Sequence, residues 1–331
     1  MTGFNEGFLL TASQYSKIIS EDVHSASIIH PYFRGQDINR WQTGNSQQWM
    51  IVMKSSSDNE WPWSHEESNK AEAESIFEQT FPGIYGHMKP LESKLRNRKN
   101  QVKHWWELGS CGFWDVFKQA KIIYQEIQFH PSYSLDTEGY YGNNKTFFLS
   151  TDDLFLLAVL NSPMMWWHNW RYLPHMKDEA LSPVGFKMGD LPIAEPSAEV
   201  REAVEIAVRR LIEITAFHQQ THHTILDWLR MEYAIEKPGN KLQSLTTLDS
   251  DTFVAEVKRI RGKNLPLTAA SLQALRQEYT NTIAPARTLA AEALQLECKL
   301  NDLVNQAYGL TPEEIDLMWK TAPPRMPIPR P

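Results

Sequence analysis

Residues 89–103 hold Lys89, Lys94, Arg96, Arg98, Lys99 and Lys103 against a single acid, Glu92. In a chain of net charge −7 this is the one concentrated basic stretch. Cations gathered in this way neutralise phosphates and release counterions. His104, Trp105 and Trp106 come directly after. Their rings would pack on sugars or unstacked bases, or would anchor a core. A second constellation is Arg34, Gly35 and Asp37, with Arg40 close behind. Asp37 is placed to hold one arginine in a bidentate pair, and an arginine held so matches guanine O6 and N7. A plain structural ion pair is the alternative. Asn143, Asn144 and Lys145 read as a hairpin tip, where asparagine serves turn geometry or adenine, and the turn is favoured. Arg171 and Lys177 form a smaller basic and aromatic patch with Trp170, Tyr172 and His175.

Other chemistry finds no residues to carry it. His218 and His222 share a helix face four residues apart, but no third ligand is fixed nearby, so packing is the reading. There is no glycine-rich phosphate loop, no Gly-x-Ser-x-Gly and no His-Glu-x-x-His. The Asn-Pro-Pro-aromatic string of adenine-N6 methylation is absent; Asn161-Ser162-Pro163-Met164 lacks its second proline and its aromatic. Asp115 and Glu126 begin a nuclease-like triplet, but position 128 is Gln rather than Lys. No catalytic residue, resident cofactor or metal is expected in this chain.

The elements that must position these residues fall into two parts. Up to 195 the chain is aromatic and mixed. Residues 49–53 and 121–127 read as buried strands, 133–135 and 146–149 as strands around the turn at 142–144, and 66–79 as an acidic helix. Thr151 and the two acids after it start a helix that runs through Leu160 and on toward Trp170. From Ser197, an N-cap, no Pro or Gly interrupts the chain to Glu232. Val204, Val208, Leu211, Thr215, His218, His222, Ile225 and Leu229 step by three and four, the seam of one long helix. Residues 269–280 read as helix, 241–266 stay ambiguous, and Pro285 breaks or kinks the segment after it. Leu289, Ala293, Leu296, Leu300, Leu303, Ala307 and Leu310 repeat as a heptad, so the two long helices should pair antiparallel. The ending from Pro323 is proline-rich and reads as extended or disordered.

Composition sets the outer limits. The 331 residues are 42% hydrophobic and 22% charged, enough to fill a core over one large domain or two. The acidic balance excludes a globally basic nucleic-acid binder but not a local patch. Two distant cysteines exclude a disulfide scaffold. No signal peptide and no membrane span is visible, so a soluble cytoplasmic protein is expected.

Seven blocks in order resemble a known family. They are Gly3 to Phe8; Ser25 to Trp41; Trp105 to Leu108; Lys121 to Ile127; Asp136 to Phe148; Asp153 to Ser162; and Leu191 to Ile193. Ala307 to Ile315 adds a similar ending. They resemble the TaqI-like C-terminal specificity domain, the target-recognition domain of adenine-N6 DNA methyltransferases and fused type IIG restriction-modification enzymes. The position before Glu126, usually proline in that pattern, is Gln125. The resemblance implies an α+β protein: a mixed α/β target-recognition domain at 1–195, an antiparallel long-helix pair at 196–322 and a tail at 323–331. It implies double-stranded DNA as ligand, with Arg34, Arg40, Lys94, Arg96, Arg98, Lys99, Lys103, Trp105, Asn143, Asn144, Lys145 and Arg171 as candidate contacts. The family's catalytic part normally precedes this domain. The expectation is therefore a partner, an adenine-N6 methyltransferase or methyltransferase-nuclease subunit, which would carry S-adenosylmethionine and magnesium. The whole would serve phage defence. The other reading is a structural interaction fragment of a split enzyme that has lost DNA binding.

Overall fold

The computed structural model describes residues 2–44, 47–66, 69–99, 102–262 and 266–330; part of the ambiguous 241–266 segment lies outside them. The protein is α+β, and its packing divides it into two compact units.

The first unit comprises residues 1–128, 132–152 and 182–186. It holds eight described strands: β1 (Leu9–Thr11), β2 (Ile29–Phe33), β3 (Trp41–Gln42), β4 (Gln48–Ile51), β5 (Lys121–Gln125), β6 (Tyr133–Asp136), β7 (Tyr141–Gly142) and β8 (Thr146–Leu149). They form two small mixed sheets, ordered β1-β4-β2-β7 and β3-β6-β5-β8. The expected strands are present, but their pairing differs from the hairpin expected around 142–144. β5 lies between β6 and β8, antiparallel to both. β7 leaves that sheet and pairs parallel with β2 in the other. Two-residue strands such as β3 and β7 carry no periodicity of their own, and only a tertiary partner defines them.

The core of this unit is aromatic. Trp63, Phe77 and Trp106 are fully buried, with Phe77 and Trp106 stacked at 4.9 Å. The helix Lys70–Thr80 supplies Ala73 and Phe77 to it and turns Glu72 and Glu78 outward, while Glu74 is held within. Asn69 caps that helix by accepting from the Glu72 amide. One ion pair is wholly buried: Lys121 Nζ lies 2.5 Å from Asp136 Oδ2 and donates to Phe117 O at 2.6 Å. Asp136 also accepts from the amides of Glu138, Gly139 and Tyr140. Gly139 has φ +74, a left-handed conformation that glycine adopts without strain. The buried charge is thus fully bonded and fixes the turn that leads into β7.

The second unit comprises residues 129–131, 153–181 and 187–331. The helix expected from 152 toward 170 is two. Leu154–Leu160 is capped by Asp153, and Pro163–Tyr172 by Ser162, with Pro163 in its first turn. Ala198–Tyr233 is the long helix read from the sequence, capped by Ser197, whose hydroxyl accepts from the Val200 amide. Ser250–Arg261 is helical as well. Ala269–Glu278 continues through a π turn, Tyr279–Ile283, into Ala284–Ala307. Pro285 therefore neither breaks nor ends the run. It lacks the amide and crowds the carbonyl four residues back, and the wider turn accommodates both.

The helix pair is antiparallel. Arg210 Nε lies 2.6 Å from Glu292 Oε1, and His218 Nε2 lies 2.8 Å from the Ala286 carbonyl. The seam of the later helix differs from the expected heptad. Leu300 is buried, but the other buried positions are Ala286, Asn301, Val304 and Asn305. Leu289, Ala293, Leu296, Leu303, Ala307 and Leu310 are half-exposed. This helix also packs on Leu154–Leu160 and Pro163–Tyr172, so its buried stripe faces more than one neighbour. The proline-rich ending, expected to be extended or disordered, turns at 324–325, where Arg325 has φ 57, and is packed. Trp166 Nε1 donates to Pro324 O at 3.0 Å, and Ile328 is buried. Among the described residues, no helix is long and apolar enough to cross a membrane.

Candidate nucleic-acid interface

The first unit brings two of the sequence-derived groups together. β2 ends in a single 3₁₀ turn, Gly35–Asp37. Asp37 Oδ2 accepts from the Arg34 amide at 2.8 Å and from Arg34 Nε at 3.3 Å, while Oδ1 accepts from Nη2 at 3.2 Å. This is the bidentate pair expected from the spacing. Asp37 holds the Arg34 pKa above its ordinary value, and the guanidinium stays half in solvent. A Cβ on Gly35 would stand 3.4 Å from Lys145 O and 3.6 Å from Gln125 Cγ, so this turn rests directly on the 143–145 turn. Gln125 Nε2 reaches Ile38 O at 3.5 Å.

The 143–145 turn is not a hairpin tip; it carries the chain from β7 in one sheet to β8 in the other. Asn143 makes the turn: its Oδ1 accepts from Lys145 N, and its carbonyl accepts from Thr146 N and Oγ1. Its side chain also bonds Tyr32, whose hydroxyl pKa is raised, chiefly by burial. Gly142 is needed for this closure, since a Cβ there would stand 2.1 Å from Thr146 Oγ1 and 3.1 Å from Thr146 Cβ. Asn144 and Lys145 are exposed. Lys145 Nζ lies 2.5 Å from Glu126 Oε2, and Lys145 O accepts from Glu126 N at 2.9 Å. Two acid–base couples, Arg34–Asp37 and Lys145–Glu126, therefore stand side by side. Sequence reasoning missed Tyr32, Gln125 and Glu126 as members of this site. The signal that could have found them was position, since Gln125 and Glu126 close the lysine-led strand.

Arg40 lies half-buried with its guanidinium 5.1 Å from the centre of the Trp41 ring. Trp41 is buried with φ 73, a costly conformation for a tryptophan, held where β3 meets β6.

The structure places the basic stretch differently from an open row of cations. Arg98 is half-buried and turned inward. It donates to the carbonyls of Thr2 and Trp105 at 3.1 Å each and also to Glu107 O. Burial pushes its pKa down to about 10. Arg96 pairs with Glu92 and Glu74, and Lys89 pairs with the same two acids. Glu74 comes from another helix, which is why the local sequence shows one acid where the fold supplies two. Trp105 is no stacking platform: it is buried, and its Nε1 donates to Glu74 at 3.2 Å. Lys94 stands exposed, 3.8 Å from Glu6, and Lys99 and Lys103 are exposed.

In the second unit, Arg171 lies 3.9 Å over the Trp167 ring and donates to Trp167 O and Thr321 O. His222 is half-buried, and burial lowers its pKa. Among the described residues, no three His, Cys, Asp or Glu side chains gather as a metal site.

The family model of the TaqI-like C-terminal specificity domain matches residues 30–193. A domain of unknown function (DUF8810) matches residues 197–304. The expected boundary at 195/196 falls between these two matches, whereas the packing units change over at 128/129, 131/132, 152/153, 181/182 and 186/187. No curated protein matches the chain in sequence. Among solved structures it is similar to the type IIL restriction-modification enzyme MmeI in complex with DNA, at 10% identity and a TM-score of 0.44. That alignment covers 96% of this chain and 34% of the other, so the chain spans about a third of that enzyme's length.

Proposed function

We propose, from the premise that residues 30–193 are a TaqI-like C-terminal specificity domain, that the chain is the sequence-reading module of a restriction-modification system. The observation that supports this most is the meeting of Arg34–Asp37 with the 143–145 turn. Arg34 is presented to solvent, yet its guanidinium is already oriented, and an arginine prepared in this way loses little freedom on meeting a guanine edge. Asn144, Lys145 and Arg40 would extend the contact, and Lys94, Lys99 and Lys103 would supply phosphate contacts. The catalytic work, adenine-N6 methylation or cleavage, would fall to a methyltransferase or methyltransferase-nuclease partner with its own S-adenosylmethionine and magnesium.

The test is duplex binding at several salt concentrations. Arg34→Ala should cost about 1–3 kcal/mol on the preferred sequence and leave scrambled duplex unaffected. Lys99→Ala should instead weaken every duplex and flatten the plot of log affinity against log salt by about 0.9. A wild-type chain that binds preferred and scrambled duplexes equally would end the proposal.

A further inference from the structure

Two oppositely charged couples at one site raise the question of what the carboxylates do. Asp37 is occupied: both its oxygens bond Arg34. Glu126 is placed differently. It is half-buried at the end of β5, its amide fixed by Lys145 O and its Oε2 in an ion pair with Lys145 Nζ. A carboxylate offers about four lone-pair sites, so one lysine leaves acceptor capacity. Next to a phosphate such a group is repelled, and Lys145 is neutralised before any backbone contact is made. Against a base edge the same group is an asset, because the exocyclic amine of cytosine donates into the major groove and a carboxylate is its natural acceptor. The neighbouring Arg34 turn, in contact through Gly35, offers the donors that a guanine needs.

We infer that Glu126 is a specificity-determining residue that accepts from the N4 amine of a cytosine, with Lys145 holding its carboxylate in place. The inference rests on the DNA-reading function proposed above and names one base that the site selects.

Duplexes selected from a random-sequence pool by the wild-type chain and by Glu126→Gln test it, with melting temperatures measured in parallel. The wild-type pool should carry a fixed cytosine at one position. The variant should lose that preference by at least about tenfold while keeping its other preferences. Glu126→Asp covers the case in which the first variant fails to fold: it keeps the charge, withdraws it by one methylene, and should weaken the same position alone. Unchanged pools, or an equal loss at every position, would overturn the role of Glu126 and leave the DNA-reading function standing. A wild-type pool without any preferred sequence would overturn that function and this inference together.

Discussion

Arg98 and Arg34 are the same residue type in opposite circumstances. Arg98 gives its donors to backbone carbonyls and loses water, which pushes its pKa down to about 10; Arg34 keeps water and faces a carboxylate. The Arg34–Asp37 couple was legible because its partners lie three residues apart. The role of Arg98 was not, because its acceptors include Thr2, far along the chain. His30 shows the same dependence on distant neighbours. It stacks on Tyr141 at 5.0 Å, and burial, then Lys118, then Lys54 lower its pKa from 6.5 to about 4. The folded form therefore holds a neutral ring where the unfolded chain takes a proton. Stability from this group is complete above pH 6.5 and is lost as pH falls toward 4. His30→Gln should flatten the fall of melting temperature across that window; an unchanged pH profile would show that His30 does not drive it.

Elements were legible in proportion to their length. Ala198–Tyr233 was read nearly end to end, because Ser197 and the spacing of Val204, Val208, Leu211, Ile225 and Leu229 are local signals. β7 was not, since two residues cannot announce which sheet they join. Between these limits lies the partner helix: its antiparallel pairing was read correctly, but its buried stripe was not. Leu300 belongs to both the expected and the observed stripe, at 4% exposure. Leu300→Glu should therefore cost at least about 3 kcal/mol, through lost packing and a buried unpaired charge. Thermal denaturation monitored by circular dichroism checks this, and an unchanged melting temperature would mean that the seam lies elsewhere.

For the whole molecule, composition left one large domain or two open and gave no sign of where the units divide. The helix at Leu154–Leu160 packs with the later helices although the family match runs on to 193. The chain's end also belongs to the second unit. Arg325 Nη1 donates to the carbonyls of Asp178 and Glu179, residues with φ 58 and 60, so the ending braces a pair of left-handed residues that would otherwise be costly. Deleting 323–331 should raise hydrogen exchange in 163–181 while leaving β5 and β6 protected. Equal exchange in 163–181 with and without the ending would show that it braces nothing.

The π turn at Tyr279–Ile283 has a consequence for inheritance. It amounts to one residue added to an α-helix, and each residue is about 100° of rotation. Ahead of it Leu275, and at its start Tyr279, face a core shared with Leu229, Phe253 and Val257; beyond it, Leu300 and Val304 are buried on the same continuous run. The added residue sets the phase between those two stripes. A descendant that lost the codon of Thr280, Asn281 or Thr282 would keep every apolar side chain and still turn one stripe away from its core. Insertions and deletions among related chains should thus be tolerated at the exposed residues 236–237 and purged from 279–283.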